Sequence, residues 1–109
     1  MTDETGLAVI YSVWPDQAAA ERMAEALITS RLAACINILA PMTSLYRWRG
    51  ALQRDSEVPV LIKTRATLAE QAIAAARTHH PYETPAFLVF PASGAFPPYR
   101  DWVFAETGG

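Results

Sequence analysis

One cysteine, Cys35, is all this chain has, so no intrachain disulfide can form and nothing points to an oxidising compartment. Long apolar runs are missing too: none approaches the roughly 18 residues that cross a bilayer. Residues Met1 to Gly6 are acidic and polar, opposite in character to a secretory leader. A soluble, cytoplasmic protein is the expectation. Charge is scarce, at 18 % of residues, and the net value of −2 offers no general attraction to nucleic acid or anionic membranes. Phosphate-cradling glycine loops, a GxSxG elbow, HExxH and paired CxxC spacings are all absent. No nucleophile–base pair can be read from the spacing, so catalysis is not expected.

What the chain does have is apolar bulk. Hydrophobic residues make up 51 % of 109 positions, enough for the core of one domain and for further burial by association. That domain spans 1–109, with 1–6 and 106–109 as flexible ends. Leu7 to Trp14 reads as a covered strand. Pro15-Asp16 opens a helix capped by Asp16, with Ala20, Met23, Ala24, Leu27 and Ile28 as its buried stripe. Ala33 to Ala40 reads as a second strand and Ser44 to Gly50 as a third, whose alternation puts Tyr46 and Trp48 on one face. Residues 50–56 look like a turn before a strand over Glu57 to Thr64, where Pro59 should mark an edge or bulge. Thr67 to Glu70 fits a capping box starting a second helix, with Ala69, Ala72, Ile73 and Ala76 buried. Ala86 to Phe90 is a short strand, and a final helix follows Phe96-Pro97-Pro98 and docks through Tyr99, Trp102 and Val103.

Between the second helix and the last strand lies His79-His80-Pro81-Tyr82-Glu83-Thr84-Pro85, which holds both histidines of the chain. His80-Pro81 should stop the helix, because proline disfavours a helical residue before it. The element order is βαββαβ plus a terminal helix, that of a ferredoxin-like α+β sandwich with both main helices on one sheet face. Tyr46, Trp48, Leu61 and Phe87 are then expected on the other face, an apolar excess that a partner must cover. Self-association in closed symmetry is the simplest cover.

Several stretches resemble the CutA family of divalent-cation tolerance proteins. These are Arg31-Leu32-Ala33-Ala34-Cys35-Ile36-Asn37, Ser44-Leu45-Tyr46-Arg47-Trp48-Arg49-Gly50, Glu57 with Lys63-Thr64, His80-Pro81-Tyr82 with Pro85, and Tyr99 with Trp102. The resemblance runs from about Leu7 to Phe104. It implies a cytoplasmic homotrimer with the architecture of PII signalling proteins, linked to tolerance of copper and other divalent cations and without established catalysis. The trimer would pack through Tyr46, Trp48, Tyr99 and Trp102.

The resemblance also implies two kinds of site. Copper has been attributed in some members to paired histidines, which carry over onto His79 and His80, and to a cysteine whose position falls on Ser12. A hydroxyl is a poor ligand for soft Cu(I), whereas imidazole suits Cu(II) and Zn(II). No cofactor is obligatory, and copper or zinc is the expected ion. The other reading of the histidines has His79 at the helix C-terminus and His80 packed at the corner. The second site is an intersubunit cleft for a small effector or partner protein, drawn from Arg31, Trp48, Glu57, Lys63 and Tyr82. Glu57 and Lys63 would lie about 20 Å apart along one strand, so only other strands or subunits could bring them together. Otherwise these charges form ion pairs at the subunit boundary.

Overall fold

The computed structural model describes residues 4–109. Strand β1 (Leu7–Trp14) leads to helix α1 (Gln17–Thr29), then β2 (Cys35–Ile38), β3 (Met42–Trp48), β4 (Ala51–Arg65), α2 (Ala69–Arg77), β5 (Phe87–Pro91) and α3 (Pro97–Glu106). The sheet order is β2-β4-β1-β5, antiparallel throughout, and β3 pairs with the outer half of β4. This is an α+β domain.

Alternation decides the faces. Ile10, Ser12 and Trp14 of β1 and Val58, Val60, Ile62 and Thr64 of β4 are buried. With Ala20, Met23 and Leu27 of α1 and Ala69, Ala72 and Ala76 of α2, the residues Ile10, Trp14, Val60 and Ile62 form one core. Each large side chain removed from water there contributes about 1.5–3 kcal/mol. Asp16 caps α1 as expected, its Oδ1 accepting from the Ala19 N–H at 2.8 Å. The opposite sheet face carries Val9, Tyr11, Cys35, Asn37, Leu61, Lys63, Leu88 and Phe90. Leu88 and Phe90 are 56 % and 53 % exposed there.

Several expectations are corrected or sharpened, and Ile28, expected in the buried stripe of α1, is 40 % exposed. Residues 51–56 are strand, not turn: β4 runs unbroken to Arg65, and the reversal is a two-residue hairpin at Arg49 (φ 50°) and Gly50 (φ 82°). A hairpin of this kind needs positive φ at both positions, and glycine supplies one at no steric cost. Phe87 packs against the core rather than the open face, because β5 pairs it with Ser12. Pro59 lies in a strand flanked by β1 and β2, but its missing donor falls on the β2 side just beyond the last ladder pair, Ile38 with Val60. Thr67 makes no cap; Ala66–Leu68 is a 3-10 turn that feeds α2 directly. Finally, α3 docks through Val103, which is 1 % exposed, while Trp102 remains 43 % exposed.

The C-terminal residues are well supplied with contacts. Arg65 donates to Thr107 Oγ1 at 2.8 Å and to the carbonyls of Phe104 and Thr107. Arg31, at φ 62°, accepts the Gly108 N–H through its own carbonyl and donates to the carbonyls of Gly108 and Ala105. At the other end, residues 1–3 of the expected loose segment lie outside the described residues, whereas Thr5 donates to the Ala92 carbonyl at 2.6 Å.

Candidate functional site

The His79–Pro85 corner and the β3–β4 ribbon meet around a cleft of about 900 Å³. Helix α2 ends at Arg77, and the His79 and His80 N–H groups still reach back to the Ala76 and Arg77 carbonyls. His79 is exposed; His80 turns inward and is 6 % exposed. Its ring lies 4.2 Å from Trp14 and 4.7 Å from Tyr82, centroid to centroid, with Phe87 edge-on.

Hydrogen bonds fix the His80 tautomer. Nε2 lies 2.7 Å from the Val13 carbonyl, which can only accept, and Nδ1 lies 3.2 Å from the Tyr82 N–H, which can only donate. The ring is therefore the neutral Nε2–H form. Burial holds its pKa below the ordinary value of 6.5, against the pull of the Val13 carbonyl; the charge on Arg77 also lowers it and Glu57 raises it.

Glu57 is the buried charge of the site, at 6 % exposure. Its Oε2 accepts the Tyr82 hydroxyl at 2.8 Å. Two residues along the strand, Asp55 accepts the Tyr46 hydroxyl. Both phenols are held protonated: Tyr82 is pushed well above its usual range by burial and by Glu57, and Tyr46 up to about 12, chiefly by its bond to Asp55. The cleft also takes in Trp48 and Glu83, and among the described residues no lysine or arginine lines it.

The structure thus brings Trp48, Glu57 and Tyr82 together, joined by Tyr46 and Asp55. Arg31 and Lys63 do not join them within the chain. Arg31 is spent on the C-terminal carbonyls, and Lys63 lies along β4, its Nζ 5.9 Å from the Tyr99 ring. Tyr99 stacks with Trp102 at 5.7 Å, away from this cleft. Ser12 is fully buried and accepts the Trp14 indole N–H at 2.9 Å, so Ser12 and His80 both touch Trp14. Among the described residues, no three His, Cys, Asp or Glu side chains gather closely enough to hold an ion. Asp55 and its bond to Tyr46 were missed from sequence because 50–56 looks like a turn. The i, i+2 spacing of Asp55 and Glu57 was the available signal, once that segment is read as strand.

These features define a class: an α+β domain with a two-stranded arm, whose conspicuous site is an acidic, aromatic cleft. The family model of the CutA1 divalent ion tolerance protein matches residues 8–106, and the chain belongs to that family. It is 41 % identical over 98 residues to the divalent-cation tolerance protein CutA of Pectobacterium atrosepticum, covering 90 % of this chain and 89 % of that one. It is 38 % identical to the mouse protein CutA over 93 residues, which is 85 % of this chain but 52 % of the mouse protein. The crystal structure of CutA from Xylella fastidiosa superposes with a TM-score of 0.92 at 34 % identity, covering 94 % of this chain and 99 % of that one. Among the described residues no helix is long and apolar enough to cross a membrane.

Proposed function

We propose that this chain serves divalent-cation tolerance as a cytoplasmic, non-catalytic homotrimer that binds the ion, copper before zinc, at the His79–His80 corner. The sheet order β2-β4-β1-β5 supports a ferredoxin-like protomer, and the exposed Leu88 and Phe90 on its open face support closure by further copies. One observation carries the metal reading. His80 Nδ1 is tied only to the Tyr82 N–H, at 3.2 Å, the longer of its two bonds. An ion taking that lone pair displaces Tyr82, with His79 beside it as the exposed imidazole. Because the Tyr82 hydroxyl holds Glu57, ion binding is passed on to the cleft.

Calorimetry with Cu(II), Cu(I) and Zn(II) tests this on the wild type, on His79→Ala and on the His79→Ala/His80→Ala pair. Stoichiometric binding that weakens in the single variant and disappears in the pair is the expected result. Unchanged stoichiometry in the pair would dispose of the site.

A second reading is a PII-like sensor or scaffold, whose intersubunit cleft takes a small effector or a partner protein. Its support is the volume of about 900 Å³, at the upper end of the roughly 300–1,000 Å³ typical of small-molecule sites. A thermal-shift screen over metabolites should find a stabilising compound whose effect is lost in Glu57→Ala.

A further inference from the structure

We propose that the β3–β4 ribbon is self-complementary: Arg47 and Arg54 of one copy enter the cleft of the next copy and pair with its Asp55 and Glu57. This rests on the trimeric reading above and assigns the residues that complete the cleft.

The argument starts from the ladder. Partners in an antiparallel pair share a face, and β3 pairs Ser44 with Asp55, Tyr46 with Gln53 and Trp48 with Ala51. One face therefore collects Tyr46, Trp48, Asp55 and Glu57. On the other, Arg47 pairs with Leu52 and Leu45 with Arg54. Among the described residues, the paired strand positions of the first face bear carboxylates and no cation, Arg49 at the hairpin tip being already engaged by Glu83; those of the second bear guanidinium groups and no carboxylate. Among the described residues neither set has an ion pair: the salt bridges are Arg49–Glu83 and Arg100–Asp101. The two sets lie on opposite sides of one backbone layer, so they cannot meet within a copy.

They fit each other chemically. Arginine presents a planar fork that matches a carboxylate and stacks on aromatic rings, and the receiving face offers both kinds of group. The subunit already contains a small instance of this recognition. Arg49 lies 5.4 Å from the Trp48 ring while its Nη2 reaches Glu83 at 2.8 Å, on the rim of the same cleft. Glu57 is already largely out of water, so an incoming guanidinium meets a carboxylate whose desolvation is mostly complete. Leu52, 78 % exposed beside Arg47, adds apolar surface to the donating face. A contact between two different faces is head-to-tail, and such a contact closes into a ring when its rotation allows. An isolated two-stranded ribbon is marginal in water, and this packing covers it.

The test is a charge exchange read by subunit exchange. Arg54→Asp, Asp55→Arg and the combined Arg54→Asp/Asp55→Arg variant are compared with wild type, mixing tagged and untagged protein and following mixed species by native mass spectrometry. Both positions are exposed, and circular dichroism checks that each variant is folded. Each single reversal should speed exchange by about tenfold or more, since interface changes act mainly on dissociation. The combined variant should return most of the way to wild type, and Arg22→Glu on the outer side of α1 should change nothing. Assembled single variants that exchange at the wild-type rate would overturn the pairing while leaving the trimer intact. A wild-type chain that sediments as a monomer would overturn the trimeric reading, and this inference with it.

Discussion

The Tyr82 hydroxyl and the Glu57 carboxylate meet at 2.8 Å across 25 residues of sequence, joining the proline-bounded corner to the base of the ribbon. Glu57 is buried, and Tyr82 is also placed by the ring of His80. The bond therefore links the two halves of the cleft, and its removal is felt by both.

Tyr82→Phe should cost about 1.5–3 kcal/mol, the usual worth of a hydrogen bond to a charged acceptor. Denaturant unfolding at pH 7 measures it. Adding Glu57→Gln to Tyr82→Phe should recover part of the loss, because a neutral amide tolerates the missing donor better. Equal losses in the single and double variants would remove Glu57 from the account.

Stability should fall as the solution is acidified below about pH 6.5. Burial lowers the His80 pKa in the folded chain below its ordinary value of 6.5. Between those two values the unfolded chain binds the extra proton and the folded chain does not, so the unfolded state gains. The His80 contribution is thus complete above pH 6.5 and lost on the way down. A scan of unfolding midpoints from pH 8 to pH 5 should slope downward for wild type and flatten for His80→Gln. A midpoint that rises on acidification contradicts the assignment.

Asp16→Ala removes the side-chain acceptor from the Ala19 N–H and should destabilise the fold by about 1 kcal/mol. The cap is far from the corner in role, so metal stoichiometry should stay at the wild-type value. Thermal unfolding and calorimetry on the same sample separate the two effects.

Leu88→Glu places a charge on the open sheet face, where the wild-type side chain is 56 % exposed in one subunit. An exposed substitution typically moves protomer stability by only about 0.5 kcal/mol. Sedimentation should nevertheless show dissociation into folded monomers. A variant that stays assembled would mean that another surface closes the oligomer.

The core and the helices were legible from sequence because burial on one side writes a period. Ile10 to Trp14 and Met23 to Leu27 declare their faces, and Asp16 declares its cap. The outer half of β4 wrote no such signal. Gln53, Arg54, Asp55 and Ser56 sit on a ribbon that packs on no helix of the core, so nothing there selects alternating apolar residues and the stretch looks like a turn. The error carried into the site, hiding Asp55. Phe87 failed for a different reason: a five-residue edge strand can be shifted by one position without changing its composition, and that shift exchanges its faces. Arg31 and Lys63 were grouped with Glu57 by family resemblance alone, whereas positive φ at Arg31 aims it at the C-terminal carbonyls. The end of α2 at the corner was read well from sequence, since two prolines leave the chain few alternatives.

Strand β4 exchanges its neighbours within a few residues: Val58 still pairs with Trp14, while Glu57 already pairs with Met42 of β3. From there the hairpin projects to Gly50, around which a side chain would meet no atom within 4 Å. A stretch of that length reaches about 20 Å. By geometry alone, a tilt of about 5° at the Glu57–Tyr82 bond would carry the tip through about 2 Å. An event too small to alter the shape of the body is magnified at the far end of the arm.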